Sequence, residues 1–95
     1  MIERLRRLCA EHGVSVRFAH LGSWGGVAEL RSEYDPTLRE IVVNCSTAPN
    51  LVAHAIAHEL YHHREAMGEI ARLPHRAERE RAANAYAATL IEELQ

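Results

Sequence analysis

No stretch of the chain is apolar for long enough to span a bilayer, and its opening, Met1-Ile2-Glu3-Arg4-Leu5-Arg6-Arg7, is charged throughout. Neither a signal peptide nor a transmembrane helix is therefore expected. Positive charge is not in surplus either: the formal net charge is -2, which gives no basic field for phosphates and argues against direct nucleic-acid binding. Cysteine is scarce, with only Cys9 and Cys45. Two isolated thiols make no disulfide framework, and in the cytoplasmic setting expected here both read as reduced packing residues. Repeats, linkers and low-complexity tracts are missing, and 95 residues are too few for two cores. Residues 1-95 are accordingly expected to form a single domain with no membrane association.

What remains is the composition of an ordinary globular protein, 47% hydrophobic and 25% charged. Ile2, Leu5, Leu8 and Cys9 recur at helical spacing up to Gly13, which predicts a helix over Ile2–His12 with a left-handed stop. Val14, Val16 and Phe18 alternate with Ser15 and Arg17, Val27–Arg31 reads as a second extended stretch, and Glu40–Asn44 carries the β-branched run Ile41, Val42, Val43. Asp35-Pro36 marks the turn between the last two strands. Ser46 or Thr47 is expected to cap a helix over Asn50–Met67, with Pro49 in its first turn and Gly68 at its end. A last helix over His75–Leu94 presents Ala83, Tyr86, Ala87, Leu90, Ile91 and Leu94 as an apolar stripe. The expected class is α+β: an N-terminal helix, a small three-stranded sheet, a central helix and a C-terminal helix.

The chemistry is concentrated in His58-Glu59-Leu60-Tyr61-His62. Residues four apart on a helix lie about 40° apart around the axis and about 6 Å along it, so two imidazoles can converge on one cation. Glu59 flanks the pair, where its carboxylate can take a proton from a water beside that cation. With seven histidines in the chain, composition alone yields this pattern in roughly 6 per cent of shuffled sequences, so the wider context must decide. A catalytic zinc usually takes a third protein ligand. In the last helix Glu80 falls about 20° from Ala87, on the apolar stripe, whereas Glu78 points the other way. A carboxylate there needs a partner, either a metal or an arginine at the helix end.

Other residues near the pattern have competing readings. His54 and His62 lie about 12 Å apart along the helix and cannot share one ion, so His54 is expected to support the site or face solvent. Glu65 ranks below Glu80 as a ligand. Asn84, beside Glu80, either hydrogen-bonds the metal helix or makes a structural amide contact. Tyr34, Tyr61, His63, His75 and Tyr86 all carry donors for an oxyanion and none is singled out. Trp24, within Gly22-Ser23-Trp24-Gly25-Gly26, lines a cleft or caps the core.

Arg39-Glu40-Ile41-Val42-Val43-Asn44, then Ala57-His58-Glu59-Leu60-Tyr61-His62-His63, then Glu80-Arg81-Ala82-Ala83-Asn84-Ala85-Tyr86-Ala87-Ala88-Thr89-Leu90-Ile91 together resemble the ImmA/IrrE metallopeptidases in order and spacing. Tyr61 stands where a glycine is common in that family, and Tyr86 where a phenylalanine is. The resemblance implies a gluzincin-like, minimal zincin-like domain in which His58, His62 and Glu80 bind Zn²⁺ and Glu59 is the general base. It also implies a protein or peptide substrate, helix-turn-helix transcriptional repressors being the family's targets. The expected activity is zinc-dependent endopeptidase cleavage. The alternative is a non-catalytic or latent zinc-containing module that binds a repressor or another protein partner. Strand Glu40–Asn44, which leads into the metal helix, is the expected edge on which an extended substrate would pair.

Overall fold

The computed structural model describes residues 1–21 and 31–95. The described elements are α1 (Ile2–Glu11), β1 (Ser15–Ala19), β2 (Ser32–Asp35), β3 (Glu40–Asn44), α2 (Pro49–Ala66) and α3 (Arg76–Leu94). Three helices and a three-stranded mixed sheet give the α+β layout expected from the sequence, and no described helix is long and apolar enough to cross a membrane.

Glycine sets two of the helix ends. After α1, Gly13 adopts φ +76°, Val14 N donates to Cys9 O and Gly13 N donates to Ala10 O, each at 3.0 Å. This is the paired hydrogen-bond closure that a left-handed residue allows, and it drops Val14 and Cys9 together into the core. Gly68, at φ +79°, repeats it after α2, with Glu69 N on Arg64 O and Gly68 N on Glu65 O. The start of α2 departs from expectation. Ala48 is the capping position and makes no side-chain cap, while Pro49 opens the helix. Thr47 instead donates its hydroxyl to Arg31 O at 3.1 Å, and Ser46 N donates to Asn44 Oδ1. Proline at the first position leaves one fewer unpaired N–H, so the helix starts without a cap.

The sheet order is β1-β3-β2, with β1 parallel and β2 antiparallel to β3. Asp35 makes the turn from β2 to β3, its Oδ1 accepting from Thr37 N and Leu38 N. Strand β3 is therefore central. Its residues Ile41, Val42, Val43 and Asn44 are all buried, as an apolar run in the middle of a sheet must be. Its backbone groups are engaged on both sides, so Glu40–Asn44 offers no free edge for a substrate. Of the expected extended stretch Val27–Arg31, residues 27–30 fall outside the described residues, as does Trp24; Arg31 precedes β2, whose register on β3 runs from Ser32.

Helices α1 and α2 pack on the sheet, and α3 lies along α2. The core between them is Leu5, Cys9, Val14, Ile41, Val43, Ile56, Ala57, Leu60, Ala87 and Leu90. Ala83 and Ala87 are fully buried; their small side chains let α3 approach α2 closely. Of the buried polar residues Asn44, Glu59, His63 and Glu65, His63 is the most deeply enclosed. His63, with no exposed surface, has its Nε2 2.6 Å from His12 O and its Nδ1 2.7 Å from the Tyr34 hydroxyl. The carbonyl accepts only, so Nε2 carries the proton and Nδ1 accepts from Tyr34. This single ring ties α2 to the end of α1 and to β2.

Replacing Tyr34 by Phe leaves His63 Nδ1 buried without a donor and should cost about 1–3 kcal/mol. A lower urea midpoint at unchanged slope is the expected result, and an unchanged midpoint would remove this bridge from the stability of the fold. Burial also pushes the Cys9 thiol up to about 11, so at pH 8 it stays protonated. A disulfide reagent should then titrate only the exposed Cys45 in the native protein and reach Cys9 only in denaturant.

Candidate metal centre

Helix α2 turns His58 and His62 to the same side, with ring centroids 5.0 Å apart. Both rings are only slightly exposed, at 15% and 14% of their side-chain surface. Their Nε2 atoms meet one carboxylate: His58 Nε2 lies 3.0 Å from Glu80 Oε2, and His62 Nε2 lies 3.2 Å from Glu80 Oε1. Among the described residues no arginine pairs with Glu80. Its partners are these two imidazoles, one for each oxygen. The expectation of a buried Glu80 needs correction, because 46% of its side chain is exposed. It stands at the N-terminal end of the α3 stripe, where the interface with α2 opens into a cleft.

The far side of each ring is held as well. His58 Nδ1 is 2.8 Å from Asn84 Oδ1, which also receives His54 Nε2 at 3.3 Å. His62 Nδ1 is 3.5 Å from Glu65 Oε1. An amide or carboxylate oxygen can only accept, so with its proton on Nδ1 each ring keeps this contact and turns the Nε2 lone pair toward Glu80, the side on which a cation would sit. Glu65 thereby lies on the Nδ1 side of His62, away from the Nε2 atoms that meet Glu80. Its carboxylate, 4% exposed, is clasped by Arg79 at 2.7 and 3.2 Å, and the Arg79 hydrogen bonds hold its pKa below the usual carboxylate value. The His54–His58 pair is less suited to share an ion. Those rings are 6.4 Å apart, and both present nitrogen to Asn84.

Glu59 is different in kind from Glu80. It is buried, and its Oε2 accepts the Ser32 hydroxyl at 2.7 Å. Burial raises its pKa, against the lowering effects of the Ser32 hydrogen bond and of His58 and His62. His58, Glu59 and His62 each offer a ligand atom within 4.8 Å of one another, so the group could hold a metal ion. Ser32 is the functional residue that sequence reasoning missed. Only correct placement of β2 would have exposed it, since Ser32 and Tyr34 then share the face that meets α2.

A cleft of about 410 Å³ opens over these groups, walled by Ser32, Glu33 and Tyr34 of β2 and by Leu51, His54 and Asn84 from the helices. Among the described residues β2 is an edge strand. Of the donors considered for an oxyanion, Tyr34 alone lines the cleft, and its hydroxyl is committed to His63. The Tyr86 hydroxyl receives Arg64, and Tyr61 is packed between Tyr86 and His62.

Asn84→Ala frees the His58 ring to rotate and to change tautomer. Affinity for a divalent ion should fall by about 10–100-fold in competition with a chromophoric chelator. Unchanged affinity would show that Asn84 does not orient the ring.

Compared with protein-family models, curated proteins and solved structures, the chain matches none of them.

Proposed function

We propose that this chain is a zinc-dependent endopeptidase, with His58, His62 and Glu80 as metal ligands and Glu59 as general base. The observation that carries this reading is the convergence of both Nε2 atoms on the Glu80 carboxylate, beside a buried Glu59 held back by Ser32. Two imidazoles in the correct tautomer and one carboxylate are a donor set that suits Zn²⁺, and three ligands leave a position for water or substrate. When bound, Zn²⁺ supplies Lewis-acid polarisation of a carbonyl and lowers the pKa of a water.

The chain's own residues account for the remaining steps. Ser32 fixes one oxygen of Glu59, which leaves the other to accept the proton of the attacking water. As the hydroxyl adds to the carbonyl carbon and the C–N bond breaks, Glu59 passes that proton to the departing amine. Burial makes the Glu59 carboxylate more basic than an exposed one, which favours both transfers. An extended substrate pairs with the edge that β2 presents among the described residues, replacing the role expected of β3. Ser32 and Tyr34 face α2, so the backbone of β2 runs beside the centre.

Metal content per chain, measured by plasma mass spectrometry, tests the ligand set. Wild type and Glu78→Ala should each carry about one zinc, and Glu80→Ala should lose most of it. Glu59→Gln keeps the acceptor for Ser32 and should retain the zinc, while cleavage of a quenched-fluorescent peptide library falls at least about 100-fold. Cleavage at the wild-type rate by Glu59→Gln would sink the proposed base, and zinc retained in Glu80→Ala would sink the third ligand.

A further inference from the structure

The cleft continues past the candidate centre. A second cavity, of about 570 Å³, shares Tyr34, Glu59, His62, Arg76 and Glu80 with the first. The two form one trough, and Arg76 lines both of its parts. Arg31 lines the first cavity and Arg72 the second. Among the described residues, none of these three guanidinium groups has a hydrogen-bond or ion-pair partner. Arg79, which also lines the second cavity, is taken up by Glu65.

The acidic groups of the trough are committed in turn. Glu65 is bound to Arg79, Glu59 accepts from Ser32, and Glu80 faces the two imidazoles. Glu33 lines the first cavity together with Arg31. Arg72 and Arg76, on the second side, are the guanidinium groups left without a paired carboxylate among the described residues. Arg76 also occupies the first position of α3, where a cation meets the positive end of the helix dipole, so the helix gains nothing from it. The chain as a whole, at a formal charge of -2, repels an acidic ligand at long range. Any attraction must therefore arise locally.

From this arrangement we propose that the trough selects acidic peptide segments, with substrate aspartate or glutamate side chains meeting Arg72 and Arg76 on one side of the bond to be cut. Guanidinium groups suit this task because they present paired donors to a carboxylate and remain charged at every relevant pH. The inference rests on the peptidase reading for the location of that bond, while the charge preference belongs to the trough itself.

The test is fluorescence anisotropy at low salt with two labelled decapeptides, one alternating Glu and Ala and the other alternating Gln and Ala. Metal-free protein is used, so that a carboxylate–metal contact cannot create the contrast. The acidic peptide should bind about tenfold more tightly, the scale of two partly exposed charge pairs. The contrast should vanish in Arg72→Gln/Arg76→Gln and persist in Arg7→Gln/Arg81→Gln, whose residues line neither cavity. Equal binding of the two peptides by wild type, or a contrast that survives in Arg72→Gln/Arg76→Gln, overturns the proposal. The two readings fail separately: absence of cleavage in zinc-loaded protein removes the peptidase and leaves the anisotropy contrast, whereas a lost contrast with cleavage retained removes only the acidic preference.

Discussion

Helix α2 is buried around most of its circumference, yet within eight residues it carries His58, Glu59, His62, His63 and Glu65. Each is costly to remove from water without a partner. The rest of the fold can be understood as the supply of those partners. Helix α1 ends where its last carbonyl reaches His63; β2 brings Ser32 to Glu59 and Tyr34 to His63; α3 brings Asn84, Arg79 and Glu80 to the other three. Three separate elements thus converge on one helix. Their polar contacts fix its rotation and depth more narrowly than the apolar contacts of Ile56, Ala57 and Leu60 alone would do.

This constraint explains what was legible in the sequence. Glycine at 13 and 68 marked helix ends because a left-handed closure has few alternatives, and the run Ile41-Val42-Val43 marked a buried strand because nothing else suits both faces of a sheet. The same run, apolar at every position, was also a sign that β3 is central and has no edge to offer. Strand β2 was not legible. Its inner face meets polar side chains of α2, so Ser32 takes a position where alternation would look for an aliphatic residue, and Ser32-Glu33-Tyr34-Asp35 carries no apolar period. The stretch that precedes it in the chain is more apolar and so carries the stronger strand signal.

The site shows the same division. Spacing on one helix placed His58, Glu59 and His62 together, because residues on a helix are related by fixed rotation and rise. Their relation to α3 depends on tertiary packing, and there the angular argument went only half way. It put Glu80 on the side that faces α2, but it could not register that the stripe begins beyond the edge of the core, where a side chain can be 46% exposed and still touch both imidazoles. Asn84 follows Glu80 by one helical turn and shares its direction, which is why a hydrogen bond to α2 was one of its two expected roles.

The contrast between the two carboxylates is itself an argument about their roles. In an active site, groups of the same type acquire different functions when their surroundings push their proton affinities apart. Glu59 is buried, shifted upward by desolvation, and keeps one oxygen occupied by a hydroxyl donor. Glu80 is open to water and gives both oxygens to the imidazoles. A ligand to a dication gains from staying ionised and able to reach, which partial exposure permits. A base gains from a proton affinity nearer neutrality and from fixed direction, which burial and Ser32 provide. Exchanging the two roles would require Glu59 to break its bond to Ser32 in order to bind. The distribution of burial and hydrogen bonding therefore supports Glu80 as ligand and Glu59 as base over the reverse.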